Sequence, residues 1–265
     1  MNAAPLTTFD LTLVSLLVLA LALVSLPLRL ELAAQLVGAA LRMTLQLLLI
    51  GFILKWLFGA AEPLWIALLA IFMLLSAGRE IDRRQKRRFQ GGWGFAIGTF
   101  SMFVSTFPLA LFTLTLVIGN QPWYEPRYAV PLLGMLLGNA MNGVSLGFDR
   151  LLHNVWQQRQ VVENRLMLGE DWFEALSEIR RESIRSGLMP TINAMTAAGI
   201  ISLPGMMTGQ ILAGSPPLEA VKYQILIMLL IAAGSGFGTI IAVFLGGRRL
   251  FDGRQRLRLE RLTLS

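Results

Sequence analysis

Seven apolar stretches in this chain approach or exceed the length needed to cross a bilayer, and they restrict its fold more than any other feature. A hydrocarbon core of ~30 Å takes about 20 apolar residues in a helix. The stretches are Phe9–Leu30, Gln35–Phe58, Pro63–Gly78, Gly91–Gly119, Ala129–Phe148, Ile192–Ala213 and Tyr223–Gly246. The third is short and draws on its flanks. Only 15% of the 265 residues are charged, against about a quarter in soluble domains. The expected fold is all-α, a polytopic membrane protein of about seven transmembrane helices in one domain over residues 1–265. The amino terminus lacks a basic segment, carries Asp10 and runs apolar for too long to be a cleaved signal, so it reads as a first span. The longest polar connection, Asp149–Leu188, leaves no room for a separate water-soluble domain.

Lysine and arginine in short loops set orientation. Six lie in Arg79–Gln90, six in Arg150–Arg185 and six after Gly247; with Arg29 they total 19. The alternate loops hold Lys55, Arg127 and Lys222. The amino terminus is therefore expected outside and the carboxy terminus in the cytoplasm. The same placement accounts for the net charge of +7 without nucleic acid, because a basic loop between spans faces lipid headgroups or an adjoining protein.

Several chemistries are excluded. With no cysteine, there is no disulfide, zinc-thiolate site or cysteine nucleophile. Gly143-Val-Ser-Leu-Gly147 matches the G-x-S-x-G pattern, which works only on a strand–turn–helix elbow, whereas here it lies in an apolar helix. The sole histidine, His153, falls some 12 Å along that helix from Ser145. No Gly-Lys pair occurs, so there is no Walker A loop. The chain reads as a non-enzyme.

Polar residues inside spans are costly and therefore informative. Arg42 and Gln46 stand one turn apart in the second span, Asn139 and Asn142 in the fifth, and Asn193 and Ser202 in the sixth. They are either interhelical hydrogen-bonding groups or the lining of a translocation path. Glycines spaced by four (Gly94/Gly98, Gly134/Gly138, Gly143/Gly147, Gly205/Gly209 and Gly234/Gly238) fit close helix packing. Pro204-Gly205 is expected to break the sixth span beside Met206 and Met207. Thioethers suit soft metals but also fill apolar gaps.

Between the fifth and sixth spans lies a charged amphipathic segment. Gly169 should stop one helix, and Asp171 should cap the next with Glu174 three residues on. Trp172, Leu176, Ile179 and Ser183 form one face; Glu174, Glu178, Arg181, Glu182 and Arg185 form another, with Glu178–Arg181 and Glu182–Arg185 spaced to pair. Six acidic residues between Glu163 and Glu182 favour a protein partner over an anionic lipid surface.

Leu168-Gly169 with Ala175, followed by Ile184-Arg185 and Pro190, resembles the coupling loop of ABC-transporter permeases, with Glu170-Asp171 in place of the usual small residue and Ser or Thr. More closely, Arg42-x-x-x-Gln46 with Gly51, Gly138-Asn-Ala-Met141, Ser202-Leu-Pro-Gly-Met-Met-x-Gly209 and Lys222-Tyr-Gln-Ile225 resemble the FetB-type iron-export permease family. The resemblance implies a transmembrane permease domain with a cytoplasmic coupling segment at about 150–190, a homodimer in the bacterial inner membrane, and a separate ABC ATPase subunit carrying ATP and magnesium. This chain would hold no cofactor. Coupling would fall to Gly169, Asp171, Trp172, Phe173, Glu174, Arg181 and Arg185. The path would use Arg42, Gln46, Asn139, Asn142, Ser202, Pro204, Met206 and Met207. The implied substrate is iron or another metal ion. A non-metal substrate such as a sugar nucleotide, or a secondary transporter or channel without an ATPase, is the alternative.

Overall fold

The computed structural model describes residues 7–29, 31–60 and 62–264. It divides into two compact units, one holding the chain up to Glu62 with Leu212–Gly214, the other Pro63–Ile211 with Ser215 onward.

In the first unit α1 (Thr8–Ser25) packs on α2 (Ala33–Ala60). A capping box opens α1: Thr7 Oγ1 accepts from the Asp10 amide and Asp10 Oδ2 accepts from the Thr7 amide. Its last turn ends at Ser25, so the apolar stretch to Leu28 leaves the helix before Leu30, which lies outside the described residues. Most leucines of both helices are exposed, as lipid-facing surfaces require.

The second unit is a bundle of α3 (Pro63–Arg84), α4 (Trp93–Phe112, continued by a π-helical turn Thr113–Ile118), α5 (Pro126–Gln157), α8 (Ser177–Ala197) and α10 (Pro217–Arg249). Shorter helices α6 (Arg159–Met167) and α7 (Trp172–Ala175) link α5 to α8, and α9 (Gly205–Leu212) precedes α10. At 1.5 Å per residue α5 and α10 are each about 50 Å long, well beyond the ~30 Å hydrocarbon core. They meet in a compact end. There Phe148, Leu151, Leu152 and Val155 of α5 are buried in one core with Leu176, Leu250 and Phe251. A two-stranded antiparallel pair, β1 (Arg87–Phe89) with β2 (Leu262–Leu264), ties the chain's last residues to the loop after α3. The Lys86 amide donates to Asp149 Oδ1 (3.0 Å), and Arg87 lies 3.8 Å over the Trp156 ring. The three arginine-rich segments thus gather at one end of this unit.

Among the described residues five helices are long and apolar enough to cross a membrane: those within Ala33–Gly59, Pro63–Arg84, Gln90–Ile118, Pro126–Gln157 and Pro217–Arg249, with Phe9–Ser25 a shorter apolar helix. The sixth apolar stretch is not one helix. α8 starts in the charged segment, runs through Pro190 and stops at Ala197; Ala198–Pro204 is non-helical, with Gly199 in the left-handed region (φ +85°). Pro204 lacks an N–H and disfavours helical backbone at Leu203, which places the break just before the Pro-Gly pair.

Three of the five glycine pairs sit at close helix crossings. Gly94 and Gly98 meet α3, Gly143 and Gly147 meet α8 and α10, and Gly234 and Gly238 meet α4. Gly134 touches only Met73, and Gly138, Gly205 and Gly209 face open space.

Candidate functional site

The segment from Gly169 to Gly187 is built from its turns upward. Gly169 (φ +97°) ends α6 with its amide donating to the Leu166 carbonyl (3.1 Å), a C-terminal role that suits glycine. Arg165 pairs with Glu170 at 2.6 Å. Asp171 Oδ1 then accepts from the Glu174 amide (2.8 Å) and caps α7. Leu176 (φ −95°, ψ 5°) separates α7 from α8, so two helices stand where one was expected.

The inward face is apolar: Leu176, Ile179 and Ser183 are buried, and Trp172 is half-buried against Phe251 (ring centroids 6.3 Å apart). The Trp172 amide donates to Gln255 Oε1 (3.1 Å), joining the segment to the chain's last turns. Gly187 lets α8 approach α5 and α10 closely. A Cβ there would lie 2.6 Å from the Gly143 carbonyl oxygen and 2.6 Å from Thr239 Cγ2. Outward stand Phe173, Glu174, Glu178, Arg181 and Arg185, all exposed.

The expected pairs within this face do not form. Glu182 binds Arg150 and accepts from Asn154 Nδ2 (3.0 Å), both on α5, rather than pairing with Arg185. No ion pair joins Glu178 to Arg181 among the described residues. Reaching back to α5 anchors α8 and leaves Arg181 and Arg185 unneutralised on the surface.

Arg180 was missed in the sequence. It is 6% exposed; its Nη2 donates to the Phe173 carbonyl (2.7 Å), and its guanidinium lies 3.4 Å over the Phe173 ring and 5.0 Å from that of Phe244. Desolvation draws it below the usual arginine range, partly offset by Asp171. Its place one turn after Leu176, on the buried stripe, is the signal that marks it.

The residues proposed to line a path occupy separate places. Arg42 and Gln46 are exposed on α2, in the first unit. Asn139 Nδ2 donates to the Met135 carbonyl of its own helix (2.8 Å), and Asn142 Oδ1 accepts from Arg84 Nη1 (2.9 Å), an arginine also paired with Glu80. Ser202 lies in the break, its amide on the Ala197 carbonyl (3.1 Å). The Pro204 carbonyl accepts from the Thr208 amide (3.2 Å), while Met206 and Met207 are half-buried in the first turn of α9. Among the described residues no group of three His, Cys, Asp or Glu side chains could hold a metal ion.

Long apolar helices, joined at one end by a charged, helical surface segment, define a multi-pass α-helical membrane protein. The chain belongs to the family described as "Uncharacterised protein family (UPF0014)", whose model matches residues 8–251. It is 38% identical over 233 residues to the UPF0014 membrane protein slr1647 of Synechocystis, covering 86% of this chain and 87% of that one. It is 30% identical over 263 residues, 99% of both chains, to the probable iron export permease protein FetB of Escherichia coli. It is 32% identical over 197 residues to the Arabidopsis protein ALUMINUM SENSITIVE 3, covering 74% of this chain and 70% of that one. No solved structure is significantly similar to the chain.

Proposed function

We propose that this chain is the membrane subunit of an ABC transporter that exports iron, driven by a separate ATPase subunit carrying ATP and magnesium. The relative with a transport name, the probable iron export permease FetB, aligns over 99% of both chains, and the coupling-loop resemblance points the same way. The observation that carries the reading is the two-sided build of α7–α8. Its outer face offers a 42%-exposed Phe173 among Glu174, Glu178, Arg181 and Arg185, a mixed-charge aromatic surface suited to a protein groove. Its inner face is clamped to α5 and α10, and α8 continues into the break at Ala198–Pro204. A push delivered at Phe173 is therefore felt both in the bundle and at the break.

In this reading the arginine-rich end faces the cytoplasm of a bacterial inner membrane, and two copies enclose the path. Metal ions would pass over neutral oxygens of Asn139, Asn142, Ser202 and the carbonyls of the break, a weak field suited to transit rather than storage. The test is reconstitution with the ATPase. Phe173→Glu should abolish ATP-driven iron transport while leaving ATP hydrolysis by the ATPase running. Full coupling in that variant would overturn the docking assignment. Replacing both Met206 and Met207 by leucine should leave iron transport intact if oxygens carry the ion, and loss of transport would reassign the path to thioethers.

A further inference from the structure

Where α4 begins and α10 ends, at the same end of the bundle, a groove of about 640 Å³ opens on the outer surface. Its lower wall belongs to the spans: Trp93, Ala96 and Phe100 recur along α4 at helical spacing and are exposed, and Leu245 of α10 completes it. The upper rim carries three arginines, Arg248, Arg249 and Arg261, against one carboxylate, Asp252. Among the described residues none of the three arginines is paired with a carboxylate. The nearby acids are already engaged, Asp252 by Arg256 (2.9 Å) and Arg258 (3.1 Å), and Glu260 by Arg258 (2.9 Å).

The rim is also positioned. Arg249 lies 4.0 Å over the Trp93 ring with its Nε buried and without a partner. Arg261 Nη1 donates to the carbonyls of Arg249 (2.6 Å) and Phe251 (3.2 Å), which fixes the carboxy-terminal segment against the end of α10. An apolar wall capped by an aromatic ring and three guanidiniums that pair with no carboxylate among the described residues matches an amphiphile with one acyl leg and a phosphate head.

We propose that this groove binds one anionic phospholipid, its acyl chain along Trp93, Ala96 and Phe100 and its phosphate between Arg248, Arg249 and Arg261. The ligand neutralises a cluster that the chain's own acids leave uncompensated. It also bridges α4, α10 and the carboxy-terminal segment, which no ion pair joins at this point among the described residues.

The test uses the full chain, exchanged into equimolar phosphatidylglycerol and phosphatidylcholine with identical acyl chains, and native mass spectrometry of retained lipid. The unaltered chain should keep phosphatidylglycerol, and R248Q with R249Q should lose that preference by roughly fivefold per arginine removed. Arg254→Gln removes a tail charge outside the groove and should retain the lipid. Undiminished retention in the double variant, or an equal loss with Arg254→Gln, would overturn the site in favour of diffuse surface charge. Displacement of the lipid by millimolar inorganic phosphate would overturn it in favour of a soluble anion. A second reading needs no arginine variant: phosphatidylglycerol with brominated chains should quench a fluorescence component that Trp93→Phe removes, and equal quenching by brominated phosphatidylcholine would contradict the proposal.

Discussion

Arg180 shows how a charge can be held inside the α7–α8 corner without a direct ion pair among the described residues, Asp171 acting on it only at longer range. The ring contact of Arg180 with Phe173 and one bond to the Phe173 carbonyl replace part of its hydration, while Nε and Nη1 are buried without a hydrogen-bond partner among the described residues; a desolvated cation–π contact contributes on the order of 2 kcal/mol. Lysine cannot stack a planar group and reach that carbonyl together. Arg180→Lys should therefore lower the stability of the corner by about 1–2 kcal/mol, read as a fall in the thermal midpoint of the full chain. An unchanged midpoint would remove the stacked geometry from the account. Gly187 is the second such residue. Gly187→Ala puts a methyl against the Gly143 carbonyl and Thr239 and should cost about 1–3 kcal/mol by overpacking. Gly205→Ala, facing open space at the start of α9, should be neutral in the same measurement. Both helix-boundary residues, Gly169 and Asp171, were legible because capping is local chemistry. Glu182 was not, since its partner Arg150 stands 32 residues away and spacing within a helix cannot reveal it.

At the scale of elements, α8 belongs both to the charged surface and to the sixth apolar stretch. The sequence pattern showed an apolar run at Ile192–Ala213 with a Pro-Gly pair, and hydropathy has no term for backbone continuity; the break from Ala198 to Pro204 follows from Gly199 and Pro204 together. Ile200 is 90% exposed, and non-helical backbone at membrane depth is tolerated where protein or an aqueous cavity covers it. The carboxy-terminal segment is held differently. Asp252 accepts from the amides of Arg256 (3.0 Å) and Arg254 (2.9 Å) and pairs with the Arg256 and Arg258 side chains. The Arg256 amide first, and the other donors after it, hold its carboxyl well below the usual carboxylate range. A depressed carboxyl stabilises the folded turn above the ordinary carboxylate pKa of ~4, and that contribution fades as pH falls below it toward the folded value. Hydrogen exchange should find the Arg254 and Arg256 amides equally protected from pH 8 to 5, after correction for intrinsic rates, with weakening only below about pH 4. In Asp252→Asn the pH dependence should vanish.

For the whole molecule, the apolar runs made an all-α membrane protein legible, because backbone in lipid needs helices or a closed barrel and continuous apolar runs of about 20 residues fit helices. Charge placement indicated that three arginine-rich segments share one side, and the bundle brings the loop after α3, the α6–α8 segment and the carboxy-terminal strand to one end. Both α5 and α10 reach that end and are longer than a hydrocarbon core is thick, so the charged end and the apolar stretches are parts of the same rods. Which residues meet along a path was not legible, since it depends on contacts between helices far apart in sequence. The central claim is that α7–α8 transmits work from an ATPase into this bundle, and proteoliposomes holding the full chain and its ATPase test it most directly. The account predicts iron movement that needs ATP, coupled in the unaltered chain and lost in Phe173→Glu while hydrolysis continues. Iron movement down a gradient by the chain alone, unaffected by ATP, the ATPase or Phe173→Glu, would contradict it.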